Sequence, residues 1–232
     1  MSNKELKDIF IGIFDVAGTT VSDDGLVIEA FLDAVEAVKP TAIEEQEYLE
    51  IVKATMGERK IDVFKRIYIS NDEAEKAHSR FIESYLRRVE RGEIAAMPGV
   101  ETVFRELRSR NVRVALNTGF PREILDKVIT VLGWQGLVDF SVASSEVAQG
   151  RPAPDMINSI IEKFNSRSAQ RIGAENSVVL GDTVADMSAA KAAGVKLAIG
   201  VFSGIHSKNQ LIDAGADTVI DSIFDSLPYF PR

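Results

Sequence analysis

Apolar positions follow two different patterns along this chain. From residue 98 onward, short apolar runs at 112–116, 138–142, 178–180, 195–199 and 218–220 alternate with stretches at helical spacing, 99–110, 121–133, 153–165, 184–193 and 206–214. Such alternation predicts βαβ units and a parallel sheet. The run Ile9-Phe10-Ile11-Gly12-Ile13-Phe14 reads as a further strand of that sheet, buried on both faces. The stretch 25–96 that follows is different, being rich in Glu, Ala, Lys and Leu and lacking strand signal. There Ile28, Phe31, Leu32 and Val35 fall at i, i+3, i+4 and i+7, with Val38 beyond them, and Phe81, Tyr85, Leu86 and Val89 repeat the helical spacing. Pro40 ends the first of these helices and Met56-Gly57 interrupts the middle. The expected fold is a doubly wound, Rossmann-type α/β core made of 1–24 and 97–232. A helical-bundle cap, 25–96, is inserted after the first strand, with Gly25 and the Gly-rich, Pro98-containing stretch 92–99 at its boundaries.

Composition narrows the function. At 232 residues, 45% hydrophobic and 27% charged, the chain has the make-up of a globular protein. Lys and Arg number 27 against 35 Asp and Glu, a net charge of −8, with no basic run interleaved with aromatics. This argues against a nucleic-acid partner. No apolar run approaches the ~18 residues of a membrane span, and 1–8 lacks the apolar core of a signal peptide. A soluble cytoplasmic protein is the expectation. The absence of cysteine rules out thiolate chemistry and disulfides, and two histidines, His78 and His206, are too few for a multi-histidine metal centre. His78 lies in a helical stretch and reads as structural, while His206 reads as a surface residue in a helix-capping loop. No Gly-x-Ser-x-Gly elbow is present.

The chemistry-bearing residues sit where strands end. Asp15 follows the first apolar run directly, at the carboxyl edge where open α/β sheets bind ligands, and the turn through Gly18, Thr19 and Thr20 could aim backbone amides at an anion. Asn117-Thr118-Gly119-Phe120-Pro121 joins a strand to a helix, offering a hydroxyl and amides to an anion. Gly150-Arg151-Pro152 sets a permanent cation before the next helix. Gly181-Asp182-Thr183-Val184-Ala185-Asp186 puts two carboxylates on neighbouring turns, an oxygen-rich set suited to Mg²⁺.

In this order, these four sites resemble the haloacid dehalogenase superfamily. That resemblance implies that Asp15 is a nucleophile that takes up a phosphoryl group, with Thr118, Gly119 and Arg151 holding its oxygens. It implies Asp15, the Ala17 carbonyl and Asp182 as Mg²⁺ ligands, with Asp186 binding through water or holding a ligand in place. Phosphatases of the superfamily carry a second Asp where this chain has Ala17. Asp15–Thr20, 150–154 and 181–187, together with Met56-Gly57-Glu58-Arg59-Lys60, are similar to the phosphonoacetaldehyde hydrolase (phosphonatase) family. In that family a cap lysine condenses with the substrate aldehyde, so the resemblance selects Lys60 over Lys53 and Lys65 and has Met56 and Gly57 form a loop reaching the core site. A phosphorus–carbon bond needs an electron sink, which an iminium supplies, and Ala17 suits a leaving group that requires no proton on oxygen. For Lys60 to be neutral near pH 7, its pKa must fall by roughly three from the ordinary ~10.4, as burial can bring about. The chain departs from the family pattern at Val63, where a His is expected, and at Phe120, where a hydroxylated aromatic is expected. The expected activity is Mg²⁺-dependent C–P cleavage of phosphonoacetaldehyde or another 2-oxoalkylphosphonate. The alternatives are a small-phosphomonoester phosphatase and a non-enzymatic protein on a hydrolase scaffold. A homodimer formed through the cap is also implied by the resemblance.

Overall fold

The computed structural model describes residues 6–22, 24–41 and 43–232. In chain order its elements begin with strands β1 (Ile11–Phe14) and β2 (Val21–Ser22). Helices α1 (Leu26–Ala37), α2 (Glu45–Ala54), α3 (Lys60–Ile67) and α4 (Asn71–Glu90) follow, then β3 (Ala95–Ala96). The remainder alternates α5 (Val100–Ser109), β4 (Arg113–Thr118), α6 (Arg122–Val131), β5 (Phe140–Ala143), α7 (Asp155–Arg167), β6 (Ser177–Gly181), α8 (Val184–Ala193), β7 (Leu197–Val201), α9 (Lys208–Asp213) and β8 (Thr218–Ile220). Six of the strands form one parallel sheet in the order β5-β4-β1-β6-β7-β8. The two halves of the chain meet at β1, where Phe14 is in register with both Leu116 and Leu180. The residues just past these positions therefore emerge together at one edge.

The sheet is covered on both faces, as a parallel sheet requires. Along β1, Ile11 and Ile13 belong to one buried cluster with Ala115, Val179, Ile160 and Met187, while Phe14 joins the other with Leu116, Leu180, Phe104 and Trp134. This second cluster continues into the helical insert, where α1 packs along α4. Its centre is aromatic, with Phe31 4.7 Å from Phe64 and 4.8 Å from Phe81, centroid to centroid. Each such ring contributes about 1.5–3 kcal/mol of burial. No helix among the described residues is long and apolar enough to cross a membrane.

Two features depart from the sequence expectation. The pair β2–β3 joins the two crossings between sheet and insert, and it is too short for period-2 alternation to reveal. Strand β4 extends to Thr118 instead of ending at 116, because Asn117 and Thr118 pair with Val142 and Ala143 on β5 despite their polar side chains.

Candidate active site

Asp15, Asp182 and Asp186 converge just beyond the carboxyl edge of β1 and β6, each buried, with one carboxylate oxygen from each lying within 4.8 Å of the others. Arg151 ties two of them together, its Nη1 standing 2.7 Å from Asp15 Oδ1 and 2.7 Å from Asp186 Oδ1. Its Nη2 donates to the Asn117 carbonyl at 2.9 Å. Arg151 lies in the loop ahead of α7, four residues before its first turn rather than at the helix start, and it does not line the cavity. Its charge reaches the cavity through Asp15. Asp186 is anchored further by the α8 N-terminus, where it accepts from the Thr183 amide at 3.1 Å and from the Thr183 hydroxyl in a reciprocal cap. Asp182 accepts from Thr19 Oγ1 at 2.9 Å.

Three carboxylates against one guanidinium leave two negative charges in a buried site. Burial, reinforced by the charge of Asp186 and opposed by Arg151, pushes the Asp15 carboxyl up to about 7. Burial and the charges of Asp15 and Asp186 likewise push Asp182 well above the ordinary carboxylate range. A set of hard oxygen donors carrying uncompensated negative charge fits a divalent cation such as Mg²⁺.

A cavity of about 310 Å³ opens in front of this cluster. Asp15, Ala17 and Asp182 form one part of its wall, and Thr118, Gly119 and Phe120 form another. From the insert come Met56, Gly57 and Lys60. Lys60, the first residue of α3, is only 4% exposed, whereas Lys53 and Lys65 are exposed. Its Nζ lies 3.4 Å from the Glu58 carbonyl and 5.7 Å from the Phe120 ring centroid, and its amide donates to the Gly119 carbonyl at 3.3 Å. The Gly57 carbonyl accepts from Arg151 Nη1 at 3.3 Å, so the insert loop touches the guanidinium that holds Asp15. This approach needs glycines. Gly57 has φ +86°, and a Cβ there would lie 2.3 Å from Thr183 Oγ1, while one on Gly119 would lie 2.3 Å from the Glu58 carbonyl oxygen.

The Gly18–Thr20 turn does not present its amides to the cavity as the sequence suggested. The Gly18 amide donates to Val21, and those of Thr19 and Thr20 donate to Val16. The first amide of α6, on Arg122, is likewise occupied by Ser145 Oγ, while Thr118, whose hydroxyl accepts from the Phe120 amide at 3.2 Å, and Gly119 line the cavity. Val63 is packed in the core of the insert, away from the cavity. Phe120 joins core and insert by packing 4.6 Å from Tyr85. His78 is half-buried beside Phe64 and does not line the cavity. His206 differs from expectation in being half-buried. Sequence reasoning missed Val27, Ile28, Met97 and the loop Ser203–Ile205, all of which line the cavity. It also missed Arg59, whose guanidinium donates to the Val147 carbonyl at 2.9 Å. Apart from Arg59, which stands at a variable position of the stretch 56–60, none of these carries a motif, and topology alone brings them together.

The sheet order and the strand-end acidic cluster define a hydrolase of the haloacid dehalogenase type. Residues 12–200 match the family model described as haloacid dehalogenase-like hydrolase, and the chain belongs to that family. A phosphonoacetaldehyde hydrolase of Latilactobacillus sakei is 30% identical over 226 residues, covering 90% of this chain and 82% of that protein. Protein CbbY of Cereibacter sphaeroides is 27% identical, covering 90% of each chain. Among solved structures, a phosphonoacetaldehyde hydrolase-like protein from Oleispira antarctica superposes with a TM-score of 0.79 at 20% identity, covering 96% of this chain and 91% of its own.

Proposed function

We propose that the protein cleaves the carbon–phosphorus bond of a 2-oxoalkylphosphonate, with Asp15 taking up the phosphoryl group and Lys60 activating the carbonyl. One observation carries this reading: a nearly buried lysine from the helical insert lines the same cavity as the Asp15–Asp182 pair. A buried amine at this place can condense with a carbonyl, as cleavage of a carbon–phosphorus bond requires, whereas in a phosphatase it would serve only as a cation that binds phosphate or hydroxyl oxygens. In this reading residues 25–96 act as a cap on the core formed by 1–24 and 97–232. The similarity to phosphonoacetaldehyde hydrolases over most of the chain supports it.

The reaction divides between the two residues. The Lys60 amine adds to the carbonyl, takes up one proton from solvent and expels water, leaving a protonated iminium whose carbon is one bond from the phosphorus-bearing carbon. The Asp15 carboxylate then attacks phosphorus, and the C–P electron pair moves into the iminium to give an enamine. Protonation of the enamine carbon and hydrolysis free Lys60 and the dephosphonylated carbonyl compound. Water cleaves the aspartyl-phosphate to inorganic phosphate and restores Asp15. Thr118 and Gly119 hold phosphoryl oxygens, and Arg151 positions Asp15 from behind. Asp15, Asp182 and the Ala17 carbonyl would hold Mg²⁺, with Asp186 fixed by Arg151 and the α8 cap at its side. The cation supplies charge neutralisation between an anionic nucleophile and an anionic substrate. Ala17 fits this scheme, since no leaving oxygen needs a proton.

A second reading, hydrolysis of a small phosphate monoester, is favoured by relatives such as the phosphorylated carbohydrates phosphatase of Thermotoga maritima, 26% identical over 90% of this chain. Borohydride separates the two. Reduction in the presence of 2-oxopropylphosphonate is expected to inactivate the enzyme and leave the reduced adduct on Lys60 by peptide mass analysis. Absence of the adduct, together with turnover of phosphate monoesters, would establish the phosphatase.

A further inference from the structure

We infer that the substrate carries an apolar, uncharged substituent on the carbonyl carbon, making it an alkyl ketone phosphonate rather than an aldehyde or an oxo acid. This rests on the oxoalkylphosphonate reading above and specifies the substrate class of that site. Under that reading two parts of the substrate are already assigned, the phosphoryl group to the Asp15–Asp182 end of the cavity and the carbonyl carbon to Lys60. What the substrate projects beyond the carbonyl meets the rest of the wall. That wall is mostly carbon: Val27 and Ile28 from the first turn of α1, Met97 from the return crossing, Ile205 from the loop after β7, and Met56 with Phe120 beside Lys60, with Ser22, Ser203 and Thr183 as its uncharged polar members.

Charge points the same way. Among the described residues lining the cavity, Lys60 is the sole cation, and the carbonyl engages it. The other charged side chains there are acidic, Asp15 and Asp182 at one end and Asp24 at the exposed rim. A carboxylate in place of an alkyl group would face Asp24 and apolar carbon with no counter-charge, and burying an unpaired charge is costly. An aldehyde hydrogen would leave the apolar wall uncovered. Ile28 is half-buried and Ile205 is 51% exposed, although both line the cavity. A bound alkyl chain would cover carbon that otherwise faces water. The products would be a methyl ketone, formed when the former C–P carbon takes up a proton, and inorganic phosphate.

Steady-state kinetics on a homologous ketone series tests this without changing the reactivity of the carbonyl: 2-oxopropyl-, 2-oxobutyl- and 2-oxopentylphosphonate, with 3-phosphonopyruvate as the charged comparison. Each added methylene is expected to raise kcat/KM by about two- to fourfold. The oxo acid is expected at least about tenfold below the methyl ketone. Ile28→Asn and, on the exposed loop where folding is insensitive, Ile205→Ser should each flatten the slope of kcat/KM against chain length. If the methyl ketone or the aldehyde is cleaved and trapped on Lys60 but the series is flat or falling, or the oxo acid is preferred, the inference fails and the Lys60 reading stands. If no phosphonate is cleaved and borohydride leaves no adduct on Lys60, both fail together.

Discussion

Asp15 is buried and His78 half-buried for different reasons, and each makes its own prediction. Asp15 is held on one side by Arg151 and exposed to the cavity on the other, the arrangement of a nucleophile oriented by a neighbour rather than neutralised by it. Asp15→Asn keeps the shape, and Arg151 keeps its contact with Asp186, so the fold should survive while phosphate release falls by at least about a thousandfold. Phosphate release under single-turnover conditions measures this. His78, packed beside Phe64, is lowered to about 4 from its ordinary 6.5 by burial, with the nearby Lys60 charge adding to the effect. A depressed histidine contributes stability that is present above 6.5 and lost as pH falls through the folded value. Between pH 6.5 and 4 the protein should lose on the order of 3 kcal/mol from this residue, and His78→Gln should flatten that part of a urea-unfolding pH profile.

At the scale of elements, the proposed chemistry requires the loop ahead of α3 to stay close to the loop after β4. The two meet backbone to backbone, with the Lys60 amide on the Gly119 carbonyl and no room for a side chain on Gly119. Gly119→Ala should push the insert away by a fraction of an ångström to an ångström, because the obstructing atom is a main-chain oxygen. A displacement of that size costs about a hundredfold in rate when two reacting groups come from different elements. The contact lies outside the two buried clusters, so Tm should change by only a few degrees while borohydride trapping and turnover fall together; unchanged turnover would show that the approach is not needed. The glycines were visible in the sequence, but their purpose was not, since a steric requirement between residues 58 and 119 has no local signature. Asp15 and Asp182 were legible because each follows an apolar run, and Asp186 because its spacing from Asp182 is local. Val27, Ile28, Met97 and Ile205 were not, because they read as ordinary core or loop positions until the sheet order brings them to one cavity. The same distinction explains β2–β3, a pairing set by two distant chain crossings rather than by any periodicity.

For the whole molecule, the acidic cluster couples stability to metal and pH. In metal-free protein the Asp15 carboxyl, raised from 3.8 to about 7, binds protons more tightly folded than unfolded. Its contribution is therefore fully present below 3.8 and lost as pH rises through about 7, and the raised Asp182 acts in the same direction. His78 has the opposite slope, so the raw pH profile of the metal-free protein mixes the two effects. The difference between Mg²⁺-loaded and EDTA-treated protein isolates the cluster, because His78 is common to both states. At about pH 7.5 Asp15 is largely ionised and the cation relieves its repulsion with the neighbouring carboxylates, so Mg²⁺ at a hundredfold its Kd should add about 2.7 kcal/mol. For a chain of this size that corresponds to roughly 5–11 °C in Tm. At about pH 5 the cation must first displace the proton from Asp15, and the shift should shrink by more than half. Asp182→Asn should remove most of the shift at the higher pH. A Mg²⁺ shift that is equal at both pH values, or that survives Asp182→Asn, would mean that the ion binds elsewhere on this acidic protein.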